Sequence, residues 1–193
     1  MYVELLVGNE SGAKVYQPAV QEGIEWSTER KNTPGKLVFK VLYDDILDFS
    51  EGSPVRMRVD GDNVFFGFVF KQQRNKDKII TVTAYDQLRY LKNKDTKVYE
   101  DKTASQFVKM VADDYALNLG ILDDTRYVIE SRVEENTSMF EMIANALDLT
   151  LTNTGEMYVL YDNFGKLTLQ SLSSMYVGVP GAYLMIDEET GEN

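Results

Sequence analysis

Up to about residue 86 the apolar positions recur every second residue. In "VRMRVD", Val55, Met57 and Val59 alternate with Arg56, Arg58 and Asp60. "GIEWSTER" sets Ile24, Trp26 and Thr28 against Glu25, Ser27 and Glu29. A period of two is the pattern of a strand with one face turned to a core. The runs "YVELLV", "LVFKVL" and "IITVTAYD" read as further strands. Between them lie turn-forming stretches: Gly8-Asn9, the polar "RKNTPGK" (30–36), "FSEGSP", "DGDN" and the charged "RNKDK". About six strands within 85 residues, joined by short connections, predict a small β-barrel or sandwich.

The segment "DNVFFGFVF" (62–70) departs from simple alternation. Phe65, Gly67 and Val69 share one face, while Phe66, Phe68 and Phe70 share the other, so both faces are apolar. One face fills the barrel. The other needs a cover, and either the second half of the chain or a neighbouring subunit can supply it. A glycine inside a strand marks a bulge, a sharp bend or a close backbone approach.

Beyond residue 86 the period lengthens. "QLRYLKN" (87–93) spaces Leu88 and Leu91 three apart and reads as one helical turn closing the barrel, with Asp86 as its N-cap. "TASQ" (103–106) is a capping box: the Thr103 hydroxyl can accept from the Gln106 amide while Gln106 reaches back. Phe107, Val108, Val111, Ala112 and Tyr115 then line one helical face. "YVIESRV" (127–133) is a short extended piece. "SMFE" (138–141) is a second capping box, followed by Phe140, Ile143, Ala144 and Leu147 at helical spacing. "MYVLYDNFGKLTLQ" reads as a hairpin turning at Asp162-Asn163-Phe164-Gly165. The expected fold class is therefore α+β: a β-barrel over 1–95, then a smaller α+β domain over 96–172 with two helices on a hairpin sheet. Residues 173–193 are expected to begin a truncated second barrel or to form a disordered tail.

Charge supports two units. Residues 1–95 carry 14 acidic and 14 basic side chains, whereas residues 96–193 carry 17 and 6. All of the net charge of -11 thus belongs to the second half. Nucleic-acid grips rely on clustered cations over phosphates, and neither half offers them. No run approaches the ~18 apolar residues of a membrane helix, and "MYVELLVGNE" lacks the basic and apolar regions of a signal peptide.

The chain has no Cys and no His. Disulfides, thiolate metal sites and every His-dependent nucleophile are excluded. Remaining enzyme chemistry would need carboxylates, Lys or Tyr, as in a glycosidase pair. The acidic pairs Asp44-Asp45, Asp113-Asp114 and Asp123-Asp124 sit at element ends with no partner for acid–base work. "DGDN" has strand flanks rather than the helices of an EF-hand, so a solvated hairpin turn is its reading. Asp86 and Arg89 fit a cap or a surface ion pair, and Trp26 fits core or interface filling ahead of ligand stacking. No catalytic, metal or cofactor residue is assigned.

The order of the pieces in "FSEGSPVRMRVDGDNVFFGFVFKQQRNKDKIITVTAYDQLRYLKN" resembles the N-terminal domain of phage tail hub proteins. The matching positions are Glu51, Gly52 and Val55; Phe65, Gly67, Phe68 and Val69; and Ala84, Tyr85, Asp86, Leu88, Arg89, Tyr90 and Leu91. "KTASQFVKMVADDYAL" and "YVLYDNFGKLTLQ" extend the likeness to the XkdQ/YqbQ type of contractile tails and defective prophages. The resemblance implies a tail-tube-like barrel and a structural role, with assembly as a homo-trimer that adapts the tail tube protein to a central spike protein. DNA would pass through the channel without sequence-specific binding. Localisation would be cytoplasmic during assembly and then in a virion or phage-tail-like particle. The alternatives are a cell-wall hydrolase and a carbohydrate-binding tail module. The expected assembly surface comprises Arg30, Lys31, Asn32, Thr33, Pro34, Gly35 and Lys36, exposed in the isolated chain, together with Phe66, Phe68 and Phe70.

Overall fold

A computed structural model describes residues 1–11 and 13–176. Most of what was expected for 173–193 therefore lies outside the described residues; Leu172–Met175 form a 3-10 turn. The first half builds one antiparallel sheet from β1 (Val3–Gly8), β2 (Val15–Tyr16), β3 (Glu25–Ser27), β4 (Lys36–Leu42), β5 (Pro54–Val59), β6 (Asp62–Arg74) and β7 (Ile79–Tyr85). Their order is β2-β1-β5-β6-β7-β4-β3. The alternation read from the sequence sets the burial: Leu37, Phe39 and Val41 of β4 point inward while Lys36, Lys40 and Leu42 point out. Leu5, Val7, Val55, Met57, Phe65, Val69 and Val82 complete this core. Full burial of such a side chain stabilises by ~1.5–3 kcal/mol.

The expected closed barrel is not found. The sheet is open, because among the described residues no ladder joins β2 to β3. It nonetheless curls far round. Tyr16 pairs with Val7 of β1 at one edge, and Val20 bridges Val41 of β4 near the other. Tyr16 and Val20 are four peptide steps apart, which span at most ~14 Å, so one short connection crosses the seam. Both edge strands at the seam are short, two residues in β2 and three in β3. All three β3 residues are exposed.

The second half contains α1 (Ala104–Asp114) and α2 (Met139–Thr154), each opened by the expected capping box. Gly155 ends α2 in the left-handed region (φ 73°), where its amide reaches the Leu151 carbonyl at 2.8 Å. Glycine meets no Cβ penalty there. Three strands, β9 (Leu119–Leu122), β11 (Tyr158–Asp162) and β12 (Leu167–Ser171), form a small sheet ordered β11-β12-β9. A separate two-stranded ribbon pairs β8 (Lys94–Thr103) with β10 (Val128–Ser138). Sequence reading found only part of β10 and none of β8. In "KDTKVYEDKT" the sole buried apolar side chain is Tyr99, which stacks on Phe107 of α1 at 4.2 Å, so no period-two signal exists.

The 3-10 turn Gln87–Lys92 joins the halves. Leu88 and Leu91 do not close the sheet as expected. They pack into the second core with Phe107, Val111, Met139 and Ile143.

Candidate assembly surface

The residues 30–36 form the tip and return of the β3–β4 hairpin. Only part of this loop is exposed. Arg30, Lys31, Asn32 and Lys36 face solvent and Thr33 is half-buried, whereas Pro34 and Gly35 are buried. Gly35 is fixed by its neighbour: its amide donates to Oδ2 of Asp86 at 2.8 Å, and a Cβ there would meet the same oxygen at 2.5 Å. The expectation of a wholly exposed loop is thus corrected. The reason is the N-cap carboxylate, which draws the loop's return strand down onto the 3-10 turn.

The loop tip lies over the second half. Nη1 of Arg30 contacts Sδ of Met157 at 3.4 Å. Beneath the tip is a groove floored by Leu88, Phe140, Ile143, Leu147, Leu151 and Leu160. Ala144 and Leu147, expected on the buried helical face, are only half-buried and line this groove. The buried face of α2 runs instead through Met139, Phe140, Met142, Ile143 and Ala146.

Phe66, Phe68 and Phe70 lie on the outer face of the sheet, opposite the buried Phe65 and Val69. The second half supplies part of their cover. Phe164, at the tip of the β11–β12 hairpin, packs on Phe66 with centroids 5.8 Å apart. A Cβ at Gly165 would lie 2.6 Å from the Phe66 ring, so the glycine lets the turn seat there. Phe68 meets Phe66 edge-on at 80°, and Phe70 meets Tyr85 edge-on at 82°. Such edge-to-face pairs are good packing geometry, but they do not present coplanar rings to a sugar. Phe70 stays 52% exposed, with the Arg89 guanidinium 4.9 Å above its ring. Arg89 therefore stacks on an aromatic instead of pairing with Asp86.

Two bulges shape this strand. Val64 is the extra residue between the Met57–Phe65 and Arg58–Asn63 pairs, and Phe70 between Val69–Ala84 and Lys71–Thr83. Gly67 sits between them and is not itself bulged. It is a close approach, since a Cβ would lie 2.6 Å from the tip of Phe65 and 2.7 Å from the carbonyl carbon of Tyr85.

One acidic pair went unrecognised in the sequence. Asp86 and Asp162, distant in the chain, are brought to the same junction where β11 packs on the 3-10 turn. Burial, and then the charge of Asp162, push the Asp86 carboxyl up to about 7. Burial also raises Asp162. This is not an open carboxylate pair of the hydrolase kind. Asp86 is 6% exposed, and its two oxygens already accept the amides of Gly35 and of Leu88 (3.0 Å). The other paired acids, Asp44-Asp45, Asp113-Asp114 and Asp123-Asp124, serve turns, a helix end and β12. Asp123 accepts the Ser171 amide at 2.8 Å, and Asp113 and Asp114 pair with Lys109 and Lys97. Among the described residues no group of three or more acidic side chains is placed to hold a metal ion, and no helix is long and apolar enough to cross a membrane.

Comparison with known proteins agrees with this architecture. The chain is 33% identical over 167 residues to YqbQ of Bacillus subtilis (strain 168), covering 82% of this chain and 51% of that protein. It is 34% identical over 124 residues to the phage-like element PBSX protein XkdQ of the same organism, covering 63% and 38%. The chain thus spans about half or less of these relatives. Its fold is similar to that of the 43 kDa tail protein of prophage MuSo2 from Shewanella oneidensis, with a TM-score of 0.67 at 16% identity over 87% of this chain and 52% of that one. The YQBQ-like family model matches residues 24–193, nearly the whole chain, and the chain belongs to the YQBQ-like family.

Proposed function

We propose that this chain is a structural component of a phage tail or phage-derived particle, acting at the baseplate hub. The observation that carries the reading is the curled, open seven-stranded sheet with two unpaired edges, in a chain of the YQBQ-like family. Its relative XkdQ is named for a phage-like element, and the fold matches a prophage tail protein. A sheet that stops short of closure leaves backbone donors and acceptors at β2 and β3, and such edges accept strands from neighbours. Repeated round an axis, edge-to-edge contacts of this kind close a ring. In this reading residues 1–95 form the tube-like unit and residues 96–172 a unit set on its outer face. Three copies adapt the tail tube to the central spike. Assembly takes place in the cytoplasm, and the product resides in the particle. A neutral first half suits a wall past which DNA slides.

The contact residues in this reading are the exposed part of the loop, Arg30, Lys31, Asn32 and Lys36, with Phe70 on the sheet face. Thr33, Pro34, Gly35, Phe66 and Phe68 support them from beneath. The test replaces Arg30–Asn32 by Gly-Ser-Gly in the full-length gene of a particle-producing strain. The variant is expected to fold with an unchanged melting curve and to yield no complete tails by negative-stain electron microscopy. Normal particles would overturn the assignment of the loop.

A further inference from the structure

We propose that the groove beneath the 30–33 loop is the seat of the chain's own segment Ala182–Ile186, added as a strand to the free edge of β11. β11 stands at the end of its sheet, in the order β11-β12-β9, and among the described residues no ladder lies on its other side. Met157, Tyr158, Val159 and Leu160 all line the groove. Neighbouring side chains of a strand point to opposite faces, so four consecutive residues reach one groove only where the strand turns its backbone edge to it. An unpaired edge beside apolar surface accepts an extended segment, with main-chain hydrogen bonds along the edge and alternate side chains in the groove. The opposite wall is α2, where Ala144, Leu147 and Leu151 are half-buried and recur on one helical face.

Length, composition and charge select the occupant. The groove follows α2 from Phe140 to Leu151, a rise of ~16 Å, and five extended residues cover ~17 Å. "AYLMI" (182–186) is a run of five apolar residues, followed directly by the acidic Asp187, Glu188 and Glu189. At the groove mouth Arg30 and Lys31 are exposed, and among the described residues neither forms an ion pair. The Arg30 guanidinium rests on Sδ of Met157 instead, and Glu29 beside it already accepts the Thr33 hydroxyl at 3.3 Å. Asp148 stands on the α2 rim of the groove. It repels an acidic segment, so such a segment belongs on the loop side.

The chain leaves the second core beside this groove. The Leu172 amide donates to the Met157 carbonyl at 2.7 Å, and the Ser173 hydroxyl donates to Glu156 at 3.0 Å, which starts the turn Leu172–Met175 at the groove's edge. Six peptide steps separate Tyr176 from Ala182 and reach ~20 Å, more than the ~17 Å length of β11. Pro180-Gly181 is a turn-forming pair. The linker therefore runs out past the far end of β11 and reverses there, and residues 182–186 return antiparallel to β11. This polarity brings Asp187–Glu189 to the Met157 end, where Arg30 lies. A parallel course would carry the same acids away from both cations. The docked strand ties the loop of the first half to the second core, and it does so whatever the chain's place in a particle.

The chain has no cysteine, so an engineered pair reports a single contact. In the whole 193-residue chain, Leu147→Cys is combined in turn with Ala182→Cys, Tyr183→Cys, Leu184→Cys, Met185→Cys and Ile186→Cys. Thr152→Cys, exposed on the same helix and outside the groove, is the control partner. A disulfide needs its two Cβ atoms within about 4.5 Å. The expected result is an intramolecular bridge that peaks at one tail position and falls at both neighbours, whose side chains point the other way. It should form about tenfold faster than with Thr152→Cys. Hydrogen exchange gives a second readout. Leu184→Asp together with Met185→Asp puts a charge on whichever face enters the groove. That variant should lower the protection of the Tyr158–Asp162 amides about tenfold and leave β4 and β7 unchanged. Bridging that is equal at all five positions or equal to the control, bridges formed only between two molecules, or β11 exchange untouched by the acidic pair overturns the proposal.

Discussion

Placing a single methyl at Gly67 tests the central geometric claim about the sheet. The Cβ of Gly67→Ala would meet the tip of the Phe65 ring at 2.6 Å and the carbonyl carbon of Tyr85 at 2.7 Å. The two clashes differ in kind. Phe65 is a side chain in the core and can turn a little. Tyr85 is backbone at the end of β7, one residue before Asp86, whose carboxylate ties down Gly35 and Leu88. That carbonyl cannot retreat without disturbing the cap. Overfilling a packed site costs ~1–3 kcal/mol, and replacing Gly by Ala returns ~0.4–1 kcal/mol through the unfolded chain. The net expectation is a loss of ~1–2 kcal/mol, or roughly 2–8 °C in melting temperature for a domain of this size. Gly67→Val should lose more. Urea unfolding followed by far-UV circular dichroism measures the effect, with an unchanged slope required so that the shift reports stability alone. Equal midpoints for Gly67→Ala and the native chain would show that the strand has room at this position, and the close approach of β6 to β7 would be wrong.

Other expectations follow from the same contacts. Phe164→Ala removes the ring that covers Phe66 and should raise exchange across β11–β12 while leaving β4 and β7 protected. Thr103→Ala breaks the capping box and should destabilise by ~1 kcal/mol, read as a lower urea midpoint. At the second box, the Ser138 hydroxyl and then its backbone amide hold the Glu141 carboxyl below its ordinary value. A depressed carboxyl stabilises above that ordinary value and loses its contribution as pH falls. The difference between the native chain and Ser138→Ala should therefore shrink when unfolding is repeated in acid rather than at pH 7.

Local pattern was enough to determine most strands of the first sheet, the β11–β12 hairpin, and both α-helices with their N-caps. Alternation in β4 and β5 follows from side chains projecting to opposite faces, and "TASQ" and "SMFE" close their helices through contacts three residues apart. These signals need no distant partner, so they are legible in the sequence. The ribbon of β8 and β10 was not, since its charged strands are held by pairing with each other and by Tyr99 on Phe107. Whether the sheet closes was also beyond local pattern. Closure depends on whether two edges far apart in the chain find a common register, and here a three-residue connection crosses the seam without one. The cover of Phe66, the draw of Gly35 toward Asp86 and the meeting of Asp86 with Asp162 each join residues far apart in sequence. Period and spacing describe one element at a time, and only the packing of the two halves brings those groups together.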